Sequence, residues 1–421
     1  MERTGKITGT IDANPNPVFF GQGNVVISWQ TNDPAGGEVR VSTSAGDEKL
    51  VSKSGKQSGQ TEIPWIAGST VYDFRLYGAS RPGTPVDCVQ VRRAIDSAPS
   101  ALRELSDEVG RGNIDMSDLS KFIAAAMPEC LHNPHFRELF RTWERRGFHV
   151  TPVHFYQPIP NTQELPEALW NRPGKLVGID MNAATQLDLL RNYFPKFRAE
   201  LEAFPAEPTG DPTRFYLNNG LFDGLDALMA YCVVRHFQPR IIVEVGSGFS
   251  SLILGEAVAR NNRSSLICIE PYPRDFLRKG LRGLDSLIEK KIQDLDLNFF
   301  SQLSPGDILF IDSSHTVKIG GDVNYLFLEV LPRIKPGVIV HIHDIFLPFE
   351  YRRDWVMDEM RFWNEQYLLQ AFLTFNSEFE VVIANSYLSH YHEEVLKAAF
   401  PSLPSWGGGS FWMRRRPAKA D

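Results

Sequence analysis

The chain has 421 residues, of which 43% are hydrophobic, and its formal net charge is −7. This length exceeds a single ordinary hydrophobic core, so at least two domains are expected. The small acidic excess, without blocks of like charge, argues against nucleic acid or an anionic membrane as a partner. No apolar run is long enough to span a bilayer, and the N-terminus lacks the apolar centre of a signal peptide. These features predict a cytoplasmic protein.

The first part of the chain, residues 1–95, has the pattern of an all-β domain. Short segments such as NVVISWQT and TVYDFRLYGA are rich in β-branched and aromatic residues and are separated by Gly, Pro and Asn. Their regular spacing predicts a β-sandwich with Trp29 in its core. At the level of pattern it resembles immunoglobulin-like and fibronectin type III-like domains. Such a domain could bind a glycan or a protein, or act as a spacer.

Residues 96–215 are predicted to form a helical linker followed by a lid. The segment 115–131, DMSDLSKFIAAAMPECL, starts with a capping residue and continues with an apolar helical repeat. The segment 154–170, HFYQPIPNTQELPEALW, is rich in Pro and aromatic residues and is predicted to be irregular. Ordered irregular segments of this kind often cover active sites.

From residue 216 to the C-terminus, strand and helix patterns alternate. The strands are almost continuously apolar, which predicts a mainly parallel sheet with helices on both faces. Seven strands are expected, and the third of them is placed at residues 290–295, KKIQDL, after a helix over 273–289. The fold class is therefore α/β for this part of the chain.

The segment 241–251, IIVEVGSGFSS, joins the first strand to a glycine turn. Ligands of parallel sheets bind beyond the carboxyl ends of the strands, and Gly246 and Gly248 would let the backbone approach one there. The third glycine of a dinucleotide site is absent. Glu244 disfavours a pyrophosphate but could accept an ammonium group, and Glu270 could accept ribose hydroxyls. These features favour S-adenosylmethionine as the ligand.

The ordered motifs VEVGSGFSS, CIEP and DILFIDSSH resemble class I S-adenosylmethionine-dependent methyltransferases. Within that family the chain is most similar to a group found in bacterial secondary-metabolite and surface-glycan pathways, over roughly residues 115–415. The resemblance implies a seven-stranded Rossmann-like sheet over residues 216–421. It assigns Glu244, Gly246, Gly248, Ser250 and Ser251 to the methionine end of the cofactor, Glu270 to its ribose, Gln293 or Asp294 to its adenine side, and Asp312 to the same pocket.

Acidic and histidine side chains follow the fourth and fifth strands of the predicted sheet. Asp312 and His315 follow one strand, and His343 and Asp344 follow its neighbour. By resemblance to catechol O-methyltransferase-like enzymes, Asp312 and Asp344 match two magnesium-binding acids, and His315 occupies the place of the catalytic lysine. An imidazole is a competent general base near neutral pH. His315 is therefore the predicted base, and His343 is the second candidate.

One residue departs from the catechol O-methyltransferase-like pattern. Ile345 stands where those enzymes have a metal-binding Asn, so Mg²⁺ lacks a third ligand unless Asp322 or Glu350 supplies it. His341 shares a strand face with His343, and at least one of the two is expected to be structural. Metal-assisted and metal-free mechanisms both stay open at this point.

The sequence predicts an O-methyltransferase that acts on a small molecule or a sugar hydroxyl. Three alternatives stay open. They are N-methylation of a small molecule, a nicotinamide-dependent oxidoreductase on the same type of sheet, and a glycan- or protein-binding module with a degenerate transferase fold. A C-terminal strand and an exposed β-domain would both allow a homo-oligomer.

Overall fold

A computed structural model describes residues 6–417, except 20–23, 44–47, 67–70, 95–110, 112–116, 118–119, 121–122, 125–126 and 128–135. The chain divides into two compact units, Met1–Pro152 and Val153–Asp421. The helix predicted over 115–131 falls largely outside the described residues. The division of the chain at residues 95 and 215 stays a prediction.

The first unit contains two β-sheets, in which most neighbouring strands are antiparallel. Their strands are β1 (Gly9–Asn14), β2 (Val18–Phe19), β3 (Val25–Thr31), β4 (Gly37–Thr43), β5 (Lys49–Ser54), β6 (Ser58–Ile63), β7 (Val71–Gly78) and β8 (Asp87–Ala94). One sheet has the order β1-β3-β6 and the other β2-β8-β7-β4-β5. Buried and accessible side chains alternate along β3, and Trp29 is buried in the core as predicted. Helix α1 (Phe136–Glu144) follows later in this unit. An immunoglobulin-like identity stays a prediction.

The second unit is built on a sheet of seven strands, the number expected. They are β9 (Ile241–Val245), β10 (Ser265–Ile269), β11 (Leu284–Ile288), β12 (Ile308–Ile311), β13 (Ile339–Ile342), β14 (Phe379–Ala384) and β15 (Phe411–Arg415). Their spatial order is β11-β10-β9-β12-β13-β15-β14, and β15 runs antiparallel to both of its neighbours. Strands β12 and β13 are buried at every position, which explains why His341 is the one polar side chain in their sequences.

Helices cover both faces of this sheet. The α-helical segments are α2 (Ala183–Asp188), α3 (Arg198–Leu201), α4 (Gly224–Phe237), α5 (Phe249–Asn261), α6 (Asp275–Lys279), α7 (Asp322–Tyr325), α8 (Arg353–Met357), α9 (Glu365–Leu373), α10 (Asn385–Tyr391) and α11 (Glu393–Ala399). Two hydrophobic clusters, one on each face, fill the space between helices and sheet. In the part of the chain that is described, no helix has both the length and the apolar character that a membrane crossing requires.

The third strand of this sheet lies earlier in the sequence than predicted. Helix α6 ends at Lys279, since Gly280 and Gly283 follow with φ angles of +84° and +81°. These left-handed glycines stop the helix and start β11 at Leu284. The prediction of a helix over 273–289 and a strand over 290–295 was therefore wrong, and residues 292–294 form a short 3₁₀ turn.

The order of the strands reverses between β9 and β12, which pair with each other in parallel. The connections of these two strands leave toward opposite sides of the sheet, so a crevice opens beyond their carboxyl ends. The glycine turn after β9 and the acidic loops after β12 and β13 lie at this crevice.

Candidate active site

A cavity of about 710 Å³ lies beyond the carboxyl ends of β9, β10, β12 and β13. It is large enough for a nucleoside-sized ligand. The residues that were predicted to bind the cofactor and that line this cavity are Gly246, Gly248, Ser250, Glu270, Gln293 and Asp312.

Gly246 fixes the shape of the turn after β9. Its φ angle is +79°, and a Cβ atom there would lie 1.8 Å from the carbonyl oxygen of Asp312. The turn is held by the Gly246 N–H, which donates to the Ile269 carbonyl at 3.0 Å, and by the Asp312 N–H, which donates to the Val245 carbonyl at 2.9 Å. Only glycine satisfies both constraints, and the result is close contact between the β9 turn and the β12 loop.

Glu244 lies beneath this turn and does not line the cavity. Its carboxylate accepts hydrogen bonds from the Ser250 hydroxyl at 2.7 Å, the Ser251 hydroxyl at 2.6 Å and the Cys268 thiol at 3.1 Å. Complete burial raises the pKa of Glu244 to about 7. Glu244 is therefore not placed to contact a ligand ammonium group, because its carboxylate binds the serine hydroxyls of the first turn of α5. Ser251 is also fully buried away from the cavity.

Glu270 lies at the end of β10 on the cavity wall. Its carboxylate accepts the backbone N–H groups of Ser247 at 3.2 Å and Tyr272 at 2.8 Å, which hold it in place. Ser313, which follows β12, also lines the cavity, but its hydroxyl is buried and has no hydrogen-bond partner among the described residues. Asp294, by contrast, is exposed and outside the cavity lining. Glu270 is thus the side chain of this group that a polar ligand in the cavity can reach.

A compact group of acids and histidines adjoins this cavity. Asp312 follows β12, while His343 and Asp344 follow β13. His315 Nε2 lies 3.4 Å from Asp312 Oδ1 and 3.5 Å from Asp344 Oδ2. His343 Nδ1 lies 3.3 Å and 3.6 Å from the same two oxygens. Two imidazole nitrogens and two carboxylate oxygens therefore face one another, and Asp312, His343 and Asp344 also line the cavity.

Each imidazole has a further carboxylate behind it. His315 Nδ1 lies 3.1 Å from Glu365 Oε2, and the His315 ring packs on Trp363 with ring centroids 4.4 Å apart. His343 Nε2 lies 3.5 Å from Asp226 Oδ2. We call these six residues the histidine–carboxylate cluster: Asp226, Asp312, His315, His343, Asp344 and Glu365.

Charge in the cluster controls its pKa values. Burial alone would lower the pKa of His315, but Asp312 and Glu365 outweigh it and raise that pKa to about 10. The pKa of His343 is likewise raised, by Asp344 and Asp312, against the effect of burial. In turn, these imidazoles hold the pKa of Asp312 well below its usual range although burial opposes them. Both histidines are therefore cationic at neutral pH when no other cation is present.

The neighbouring histidine, His341, has a structural role. It is fully buried, stacks on Phe310 with ring centroids 3.8 Å apart, and its Nε2 lies 3.0 Å from the Ser410 hydroxyl. Burial holds its pKa well below the usual range. The two carboxylates considered as substitutes for the missing metal ligand bind elsewhere: Asp322 accepts the Ser314 hydroxyl at 2.6 Å, and Glu350 accepts the Tyr351 N–H at 2.9 Å.

Two comparisons with known sequences fit this arrangement. The methyltransferase domain family matches residues 243–345, which run from β9 through the cluster to Ile345. An uncharacterized protein of Archaeoglobus fulgidus is 37% identical over 166 residues, which cover 36% of this chain and 72% of the archaeal protein. Residues 243–345 thus carry a methyltransferase domain, and the protein is a methyltransferase.

Two solved structures of other methyltransferases also match this chain. The plantazolicin methyltransferase BpumL in complex with SAH is 13% identical, and the match covers 44% of this chain and 82% of that one, with a TM-score of 0.28. An O-methyltransferase from Bacillus cereus in complex with SAH is 14% identical, and the match covers 56% and 98%, with a TM-score of 0.27. Both TM-scores are below 0.5, so neither structure supports an assignment of acceptor or mechanism.

Asp226 and Glu365 are the two residues of the histidine–carboxylate cluster that the sequence analysis missed. Asp226 lies in the first turn of the apolar helix α4, and Glu365 is the first residue of α9. Each has the pattern of an ordinary acid in the first helical turn. Asp226 stands out only as the one acid within the apolar helix α4, and no sequence spacing connects either residue to His315 or His343.

Proposed function

We propose that this methyltransferase transfers the methyl group of S-adenosylmethionine to a hydroxyl of a small molecule or sugar. The observation that carries the proposal is the position of Asp312, which lines the cavity beside Gly246 and also belongs to the histidine–carboxylate cluster. An alcohol is a weak nucleophile at neutral pH and needs a proton acceptor as it attacks. An imidazole–carboxylate cluster beside the methyl donor meets that need.

In this proposal the cofactor occupies the crevice at the β9 turn. Gly246, Gly248 and Ser250 border its methionine end, Glu270 binds the ribose hydroxyls, and Gln293 lies on the adenine side. Glu270 supports this orientation because two backbone N–H groups fix its carboxylate and leave it on the cavity wall. Glu244 and Ser251 act indirectly by holding the first turn of α5.

We assign His315 as the general base and Glu365 as the residue that orients it. The contact of Nδ1 with Glu365 leaves Nε2 directed at the center of the cluster, and Trp363 packs against the ring. The raised pKa of His315 means that the imidazole must lose its resting proton before it can accept one from the acceptor. A cation bound by Asp312 and Asp344 would favour the loss of this proton from His315.

Asp312 and Asp344 are the residues that would hold a divalent cation. Asp312 and Asp344 each offer a carboxylate oxygen within 4.8 Å of the other, so the two acids can reach one ion, and His315 lies within the same distance beside them as the base. Such a cation supplies Lewis-acid polarisation of an acceptor hydroxyl and offsets the negative charge around His315. The protein contributes the fixed positions of the acids at two adjacent strand ends.

The experiment measures S-adenosylmethionine binding by calorimetry and then SAH formation with matched hydroxyl and amine acceptors, at pH 7 to 10. We expect binding in the wild type, transfer to a hydroxyl acceptor, and loss of turnover by about 100-fold or more in His315→Asn with unchanged cofactor affinity. His390→Ala, at an exposed position, serves as the matched control. Transfer to amines alone, or full turnover in His315→Asn, would contradict the proposal.

A further inference from the structure

We infer that the cation site of the histidine–carboxylate cluster selects a first-row transition metal over Mg²⁺, with His343 as its nitrogen ligand beside Asp312 and Asp344. The inference rests on the proposed function only for the position of the site. It concerns the chemistry of the ligands, which can be measured without any methyl acceptor.

The first argument is the type of donor. Mg²⁺ binds carboxylate oxygens and water in a strict octahedron, whereas imidazole nitrogen is a preferred ligand of Zn²⁺, Fe²⁺, Ni²⁺ and Cu²⁺. Here Ile345, which follows Asp344, is buried in the core and offers no oxygen to an ion at these two acids. The atom that faces both of them from the cavity wall is His343 Nδ1, at 3.3 Å and 3.6 Å. These separations resemble the roughly 3.3 Å edge of a tetrahedron with metal–ligand bonds of about 2.0 to 2.1 Å.

The second argument is the group behind His343. A metal-binding histidine usually donates a hydrogen bond from its second ring nitrogen to a carboxylate or a similar acceptor. This bond fixes the ring and increases the basicity of the ligand. His343 Nε2 lies 3.5 Å from Asp226, and Asp226 is itself held by the N–H groups of Gly409 at 2.9 Å and Ser410 at 2.8 Å. Among the described residues His343 Nε2 has no hydrogen-bond partner, so Asp226 acts on this imidazole through the 3.5 Å ion pair and supplies the carboxylate that usually stands behind such a ligand.

The third argument separates His343 from His315. Asp312 immediately follows β12, and His343 immediately follows β13, where its N–H donates to the Ile311 carbonyl at 3.0 Å. These two donors and Asp344 line the cavity and stand on adjacent rigid strand ends. His315 lies four residues beyond the end of β12, and its backbone carbonyl accepts the Glu365 N–H at 3.2 Å. Its attachment to α9 suits a base that stands beside the metal.

The fourth argument is charge. The cluster contains four carboxylates and two imidazoles, so two negative charges are uncompensated even when both imidazoles are protonated. All six side chains are at most 21% exposed. Buried charge of this kind is stable when it is paired or binds a metal ion.

The experiment titrates Zn²⁺ and Mg²⁺, as chloride salts, into chelator-treated full-length protein by calorimetry. Co²⁺ absorption spectra provide a separate readout of nitrogen coordination. We expect wild-type protein to bind Zn²⁺ at least 100-fold more tightly than Mg²⁺. His343→Ala should weaken Zn²⁺ binding by 10- to 100-fold and change the Co²⁺ spectrum, whereas His315→Ala and the exposed control His390→Ala should retain both. His343→Glu, which replaces nitrogen with oxygen, should shift the preference toward Mg²⁺.

Other results would overturn the inference in distinguishable ways. Equal or tighter binding of Mg²⁺, or no metal binding by the wild type, refutes the transition-metal site while leaving methyl transfer to be judged by SAH formation. Loss of Zn²⁺ binding in His315→Ala but not in His343→Ala would make His315 the ligand and would also remove it as the base. If His343→Ala fails to fold, as judged by circular dichroism, His343→Gln keeps the size of the side chain and gives the same test.

Discussion

Glu365→Gln isolates the charge that raises the pKa of His315. Glu365 is 1% exposed, and its Oε2 lies 3.1 Å from His315 Nδ1. The substitution keeps the shape of the side chain and its capacity to accept a hydrogen bond, and it removes one negative charge. The pKa of His315, which the cluster raises to about 10, should therefore fall.

The magnitude follows from the type of bond that is lost. A hydrogen bond to a charged group contributes about 1.5 to 3 kcal/mol, which corresponds to roughly one to two pKa units. Because the folded pKa of His315 is raised, its contribution to stability is complete below its ordinary value of 6.5 and is lost as the pH rises through about 10. Glu365→Gln should thus remove about 1.5 to 3 kcal/mol of the stability that His315 contributes at pH 6. Above pH 10 His315 is neutral, and the variant should be at least as stable as the wild type, because the wild type then keeps a buried carboxylate whose own pKa is raised by burial.

The direct assay is a titration of the histidine ring signals by NMR in chelator-treated protein, with His315 assigned from the spectrum of His315→Asn. Asp226→Asn is the matched control, because Asp226 faces His343 and should leave the His315 titration almost unchanged. An unchanged His315 pKa in Glu365→Gln, or an equal shift in both variants, would refute the assignment of Glu365 as its specific partner.

Three further substitutions test other parts of the structure. Gly246→Ala should destabilise the second unit by about 2 to 4 kcal/mol in thermal unfolding, since it combines a positive φ with a Cβ placed 1.8 Å from the Asp312 carbonyl. Glu270→Ala should weaken S-adenosylmethionine binding by about 10- to 100-fold in calorimetry with little change in unfolding temperature, and normal binding would exclude the ribose contact. Trp29→Ala should cost the first unit about 3 to 5 kcal/mol without changing cofactor affinity, which calorimetry and circular dichroism can separate.

The sequence was sufficient for the features that local pattern controls. Apolar runs predicted β9 before the glycine turn and the strands β10, β12 and β13 later in the chain, and the order of the motifs placed Gly246, Glu270 and Asp312 around one crevice. The third strand was misplaced because its apolar residues also fit a helical repeat, and only the positive φ angles at Gly280 and Gly283 decide between the two. Pattern alone gives no access to backbone conformation of that kind.

The role of Glu244 shows a different limit. A carboxylate at a strand end before a glycine turn can face the ligand or lie beneath the turn, and the sequence is the same in both cases. Here the carboxylate lies beneath the turn, where Ser250, Ser251 and Cys268 donate hydrogen bonds to it. Its hydrogen-bonding capacity is therefore met by the protein without a ligand. The two serines were visible in the motif, but their hydrogen bonds to Glu244 depend on the direction of α5.

Asp226 and Glu365 could not be found from spacing because the fold brings them to the cluster from distant helices. His343 is 117 residues from Asp226 in the sequence, and Glu365 is 50 residues from His315. Each acid is placed by the first turn of a helix that packs against the sheet, and Asp226 also binds the backbone that leads into β15. The strand ends thus supply the groups that face the cavity, and the helices supply the groups that orient them. Because these supporting contacts use buried charge, the same packing that stabilises the fold also sets the proton affinity of both imidazoles.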